Sequence, residues 1–264
     1  MKIATWNINS VRFRMNLVTR FLRKEQPDVL CLQETKVIDE LFPAGPLAKL
    51  GYVHQAINGQ KSYHGVAVLS RLPFHKSGAQ SFCGKSDARH MGVTFENGLE
   101  LHNFYVPAGG DIPDPQANEK FAHKLSFLRE MAQVFGKRKD RGNPVVLVGD
   151  LNVAPLENDV WSHKQLLKIV SHTPVETQLL GEAKAAFDWI DVARDEFVAH
   201  DQKLYSWWSY RAPDWRAANK GRRLDHIWAS QGLKGAANLH AIHKDIRGWK
   251  QASDHVPVVV NFAL

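Results

Sequence analysis

No stretch of this chain limits its fold more than residues 145–154, Val145-Val-Leu-Val-Gly-Asp-Leu-Asn-Val-Ala154. Four apolar residues in a row leave no side for water, which predicts a strand buried on both faces within a layered sheet. Asp150 and Asn152 follow, two positions apart, so both side chains leave the strand end in the same direction. A carboxylate beside an amide can take a proton, touch a metal, or hold a water or substrate oxygen. The same pair would also serve as a polar turn that merely closes a core strand.

Further strand-like segments fall at 2–7, 29–33, 65–70, 91–96, 99–106, 145–152, 224–230 and 256–262. Asn97-Gly98 predicts a hairpin between two of them. One amphipathic helix follows Ser10, with Phe13, Leu17, Phe21 and Leu22 on one face, and stops before Pro27. A second spans 118–135, with Phe121, Leu125, Leu128, Ala132 and Phe135 as its stripe and Gly136 as its stop. A third begins near Asn158. Loops are expected at 108–116, 137–143 and 212–222, and the basic run Lys137-Arg-Lys139 reads as a solvated turn. Strands alternating with amphipathic helices predict an α/β fold, and the hairpin makes its sheet mixed.

With 264 residues and no linker-like tract, residues 1–264 are expected to form one domain. Two cysteines, Cys31 and Cys83, do not make a disulfide scaffold. The first residues lack the apolar block of a signal peptide, and no apolar run approaches membrane-spanning length. A cytoplasmic protein with no membrane partner is expected. No dimerisation element stands out, so a monomer is expected too.

The net charge is +7 and the pI about 9.4, a balance that attracts polyanions. Between Lys203 and Arg223 six basic residues face one acid, interleaved with Tyr205, Trp207, Trp208, Tyr210 and Trp215. Cations meet phosphates and rings stack on bases, so this pattern suits nucleic acid. Its plainer reading is a solvated loop with core tryptophans.

Six segments put polar residues at a strand edge: Trp6-Asn7-Ile8-Asn9, Leu32-Gln-Glu34-Thr-Lys36, Asn103-Phe-Tyr105-Val-Pro107, Gly149-Asp150-Leu-Asn152, Arg223-Leu-Asp225-His226 and Ser253-Asp254-His255. If these ends converge, carboxylates, amides, a histidine and a tyrosine share one cleft. Carboxylates gathered this closely repel one another unless a cation sits among them. Without a cysteine cluster, oxygen ligands suit a hard ion, Mg2+ or Mn2+. Such a cleft suggests metal-assisted attack of water on a phosphate ester, with an imidazole stabilising charge at phosphorus. Singly, each residue has an inert reading: Asn7 as a helix cap, Glu34 with Lys36 as an exposed ion pair, Tyr105 as core, His255 as surface. His226 is read as inert.

On these motifs the chain resembles the exonuclease III family of abasic-site endonucleases, within the endonuclease/exonuclease/phosphatase superfamily. The resemblance runs from Met1 to the C-terminus. It implies a four-layered α/β sandwich, two sheets packed face to face with helices outside. By the same resemblance Glu34 is the principal metal ligand with Asn7 beside it, and Asp254 an outer or second-metal group. Asp150 orients or deprotonates the attacking water, and Asn152 positions water and phosphate. His255 contacts a phosphoryl oxygen, Asp225 orients it, and Tyr105 offers a hydroxyl to the phosphate. Trp207 and Leu224 line the pocket for an extruded abasic sugar. Arg222 stands where the family usually has an aromatic or leucine. Arg222, Arg223 and Asn9 are expected among the DNA contacts, Asn9 lying near the metal shell.

The resemblance therefore implies a Mg2+-dependent DNA-repair phosphodiesterase, for which Mn2+ can substitute. It would cut double-stranded DNA 5′ to abasic sites, leave a 3′-hydroxyl, and trim damaged 3′ ends or act as a 3′→5′ exonuclease. A same-fold phosphatase or lipid phosphodiesterase is the alternative, opposed by the positive charge and Tyr105-Val-Pro107. A catalytically dead DNA-binding module would need a broken motif, and none is found.

Overall fold

The computed structural model describes residues 1–138 and 142–264. Lys139, the last residue of the basic run, and residues 140–141 of the expected loop lie outside the described residues. Two six-stranded mixed sheets form the body. In the first, β1 (Lys2–Asn7), β2 (Val29–Gln33), β3 (His54–Asn58) and β4 (Val66–Ser70) join β13 (Ala237–Ile242) and β14 (Val258–Phe262) in the order 13-14-1-2-4-3. The second comprises β5 (Phe74–Gly78), β6 (His90–Phe95), β7 (Glu100–Tyr105), β8 (Val145–Asp150), β9 (Ile190–Asp191) and β12 (Asp225–Ala229), in the order 5-6-7-8-12-9. A short ribbon, β10 (Trp207–Trp208) with β11 (Gly221–Arg222), stands beside them.

Alternation along each strand assigns the layers. Ile3, Cys31 and Val68 from one sheet meet Val93, Val146, Val148 and Ile227 from the other in a single buried cluster. Their neighbours in sequence face outward. Ala4, Trp6, Leu30 and Leu32 pack under Val18, Phe21 and Leu22 of the Met15–Glu25 helix. Val145, Leu147 and Trp228 pack under the Glu119–Gly136 and Pro174–Ala186 helices. Each such side chain contributes about 1.5–3 kcal/mol relative to exposure. The result is the four-layered sandwich that the resemblance implies. No helix among the described residues is long and apolar enough to cross a membrane.

Several local expectations are corrected. Phe13 lies before the first helix and is 57% exposed, while Val18 takes the buried position instead. Near Asn158 there is only a turn of 3-10 helix. The long helix starts at Pro174, behind a capping box of Thr173 and Glu176. The expected loop 212–222 contains a one-turn helix, Trp215–Ala218, and a strand. The hairpin between β6 and β7 forms, but of its two turn residues only Gly98 has positive φ, +83°.

Strand direction explains where the polar ends go. β1 runs parallel to β2, and β7 parallel to β8, so their carboxyl ends lie together within each sheet. β14 is antiparallel to β1, and β12 to β8, so the segments before them arrive at the same ends. Asp225 is the direct cross-strand partner of Asp150.

Candidate active site

The backbone at these strand ends is strained. Asn9, Ser10, Glu34, Lys36 and Asn152 have φ between 48° and 83°, a region costing non-glycine residues of order 1 kcal/mol each. Gly149 is required by contact: a Cβ there would lie 1.9 Å from the Phe104 carbonyl oxygen. Such strain persists where the surrounding bonds over-determine it, and here they do.

Asn7 joins the two sheets. Its Nδ2 donates to Glu34 Oε1 (2.9 Å) and to Asp150 Oδ2 (2.8 Å). Asp150 also accepts from the Asn152 backbone N–H and from Asn152 Nδ2, both at 3.0 Å. His255 bonds Asp225 Oδ2 through Nδ1 (2.8 Å) and sets Nε2 3.6 Å from Asp150 Oδ2. The Tyr105 hydroxyl donates to Glu34 Oε1 at 3.0 Å. Asp254 accepts from Trp207 Nε1 (2.9 Å) and Asn9 Nδ2 (3.2 Å).

The Asn7 amide oxygen is turned away and accepts from the Asn9 backbone N–H (3.1 Å), so its nitrogen faces the carboxylates. In this arrangement Asn7 positions the two carboxylates. Asn9 is engaged at both ends, by Lys36 and Asp254.

Burial would push His255 down, but Asp225 and Asp150 outweigh it and hold the imidazole protonated well above its ordinary range. Burial, with Asp225 and Glu34 close by, raises Asp150. Glu34 is held low: Lys36 beside it overcomes the burial. Burial and Glu34 keep the Tyr105 phenol protonated. The Lys36 ammonium sits between Glu34 Oε2 (2.8 Å) and Asn9 Oδ1 (2.7 Å). A cation thus already occupies a point where side-chain oxygens converge, which is the donor chemistry of a hard metal ion. Ligand atoms of Asp150, Asp225 and His255 also gather within 4.8 Å of one another.

Beneath these groups lie residues that the sequence reading passed over. Gln33 Nε2 donates to Thr5 Oγ1 (2.9 Å) and, across the sheets, to Asn103 Oδ1 (2.7 Å). Lys124 is wholly buried, paired with Glu176, and donates to the Asn152 carbonyl at 2.7 Å. Helical spacing places Lys124 with Phe121 and Leu128 on the inner face, and Thr173-Pro-x-Glu176 is a legible capping signal.

The cleft, about 740 Å³, runs from Glu34, Asp150 and His255 to a wall of Trp161, Trp207, Arg222 and Leu224. Trp207 and Leu224 line it as expected. Trp208 is a buried anchor, whereas Arg211 and Lys220 are exposed at its rim. Arg223 does not face DNA. It is 1% exposed and bonds both Asp159 and Asp191 in pairs of 2.8–3.0 Å. His226 is buried, donates to or accepts nothing in the cleft, and contacts the Val153 carbonyl (2.9 Å), while burial lowers it to about 4.

A model of the endonuclease/exonuclease/phosphatase family matches residues 4–255. The chain belongs to this family. Among its relatives, exodeoxyribonuclease III of Haemophilus influenzae is 32% identical, covering 99% of this chain and 100% of that protein. The structure of an AP endonuclease from Archaeoglobus fulgidus superposes with a TM-score of 0.91 at 29% identity over 100% of both chains. A 3′ phosphatase from Neisseria bound to product DNA hairpin gives 0.89 at 28% identity over 99% of each. The family is metal-dependent, and the oxygen-rich cluster described above fits that dependence.

Proposed function

We propose that residues 1–264 act as one domain, and as a monomer, in DNA repair. The protein is a phosphodiesterase that cuts duplex DNA 5′ to abasic sites, leaves a 3′-hydroxyl, and processes blocked 3′ ends. One observation carries this reading: Asp150 is held by Asn7 and Asn152 with the His255 imidazole 3.6 Å away. A raised carboxylate is a competent acceptor for the proton of an attacking water. Asn152 orients that water, and His255, fixed through Asp225, offers Nε2–H to a phosphoryl oxygen. The Tyr105 hydroxyl lies on the same side. Glu34, with Asn7 beside it and Asp254 as an outer or second-metal group, would hold the divalent ion, Mg2+ by the hardness of the donors, and Mn2+ in its place. When bound, the ion supplies positive charge to the phosphoryl oxygens.

Water adds to phosphorus, the P–O3′ bond breaks, and the second water proton ends on the 3′ oxygen. Trp207 and Leu224 offer an apolar wall to the extruded sugar. Extrusion costs a few kcal/mol of stacking and pairing, least where the base is already absent. Relatives named exodeoxyribonuclease III and AP endonuclease, and a neighbour solved with a DNA product, support this substrate class. One chain supplies every residue of the site, which supports action as a monomer. The free thiols Cys31 and Cys83 suit the reducing cytoplasm. The test is a product assay on duplexes carrying an abasic analogue, a 3′-phosphate or a recessed 3′ end. Nicked and trimmed products with Mg2+, lost with chelator, are expected. Turnover of inositol phosphates without any DNA product would overturn the reading.

A further inference from the structure

The wall of the cleft holds a positive charge that no carboxylate answers. Arg222 leaves the short ribbon beside Trp207, its cross-strand partner. Its Nη1 donates to the Val170 carbonyl (2.9 Å) and Ser171 Oγ (2.7 Å), and its guanidinium carbon lies 5.2 Å from the Trp207 ring centre. These contacts fix the side chain against the cleft. They leave Nε buried with no hydrogen-bond partner, and among the described residues Arg222 has no ion pair. The carboxylate that most influences it, Glu176, is already bonded to Lys124, Thr173 and the Ser171 backbone. Its neighbour in sequence offers an instructive contrast: every bond Arg223 makes goes to Asp159 or Asp191. Beyond Arg222, Lys220 lies over Trp161, 4.6 Å from its ring centre. One end of the cleft is therefore acidic, and this wall is cationic and aromatic.

A guanidinium held in place with donors to spare matches the geometry of a carboxylate or phosphate. Nε stays inside the wall, so the donors Arg222 can offer a ligand are on Nη2, which makes no hydrogen bond among the described residues. In the reaction above, the group left on phosphorus when P–O3′ breaks is what this wall would meet. At an internal abasic site that group is a sugar followed by another phosphate. At an oxidised 3′ end it is a short remnant bearing a carboxylate.

We propose that Arg222 is a specificity-determining residue that reads an oxyanion on the group beyond the scissile phosphate. The inference rests on the phosphodiesterase reading. It adds to that reading the expectation that this pocket prefers a charged remnant to a neutral sugar.

Three duplexes separate the possibilities. One ends in a 3′-phosphoglycolate, which has the carboxylate alone. One carries an internal tetrahydrofuran abasic analogue, which has the downstream phosphate alone. One ends in a 3′-terminal tetrahydrofuran, which has neither. Arg222→Met is expected to lower kcat/KM on at least one charged substrate by about tenfold more than on the neutral one, the usual worth of a charge-assisted hydrogen bond. Whichever charged substrate falls identifies the oxyanion. Equal losses on all three would overturn the proposal, since they would mean that Arg222 only braces Val170 and Ser171. Arg222→Lys keeps the charge and is expected to retain more of the discrimination than Met; a lysine variant no better than Met would overturn the role of charge. If the wild-type protein cleaves none of the three, the phosphodiesterase reading falls and takes this inference with it.

Discussion

Among the buried charged side chains of the described residues, two clusters are built on opposite principles. Asp159 and Asp191 meet Arg194 and Arg223 in a web of bonds of 2.6–3.1 Å. Two carboxylates there face two guanidiniums. Although burial opposes ionisation, Arg223 holds Asp191 down at about 2. At the strand ends, the cations that Glu34, Asp150, Asp225 and Asp254 share among the described residues are Lys36 and His255. There the balance fails, and Asp150 rises instead of falling. A buried charge is therefore no mark of function by itself. The mark is the deficit: a balanced cluster locks structure, and an unbalanced one waits for a cation, a proton or a substrate.

That contrast can be broken or sharpened by substitution. Asp150→Asn should lower kcat on an abasic duplex by about 10³-fold or more, while duplex affinity stays within about threefold. Its melting temperature should move by less than about 4 °C. Asp159→Asn should do the reverse, because it strands the buried Arg194 guanidinium and takes from Arg223 one of its two carboxylates. A loss of about 3–5 kcal/mol in urea unfolding is expected, with kcat of the folded fraction nearly intact. If Asp150→Asn unfolds the protein and Asp159→Asn silences it, the division between the clusters is wrong.

Lys124→Met should cost about 3 kcal/mol, since Glu176 would remain buried without its cation. Adding Glu176→Gln should restore at least half of that loss, which a double-mutant cycle would read directly. Kinetics on Lys124→Met should show a fall in kcat larger than any rise in KM, because the residue supports Asn152 and not the DNA.

The smallest effect is one of pH. Asp191 is lower in the folded chain than the 3.8 of a free carboxylate, so its ionised form stabilises the fold. That contribution, about 2 kcal/mol, is complete above about pH 4 and disappears as pH falls toward 2. Urea titrations across that window should show the slope in the wild-type chain and lose it in Asp191→Asn.

Most of the chemical centre was legible because short motifs carry it. Glu34, Asp150, Asn152, Asp225 and His255 stand at the ends of apolar runs, and strand periodicity alone aims them out of the sheets. The supporting residues were less visible. Lys124 reads as an ordinary charged helix residue unless its place on the inner face is counted. Arg223 reads as part of a basic run, since nothing local says that two distant aspartates will enclose it. β3, β5 and β13 were overlooked because their residues are half-buried or exposed and lack an apolar signature.

Local sequence was enough to determine where the main apolar strands lie, which polar residues stand at their ends, and what chemistry residues of those types can offer, because period and residue type are properties of a few neighbours. Tertiary structure decided which charges are answered and which are left over. Compensation depends on residues far apart in the chain, such as Arg223 with Asp159 or Asn7 with Asp150, and Coulomb energy in a dry interior follows distance in space, not in sequence.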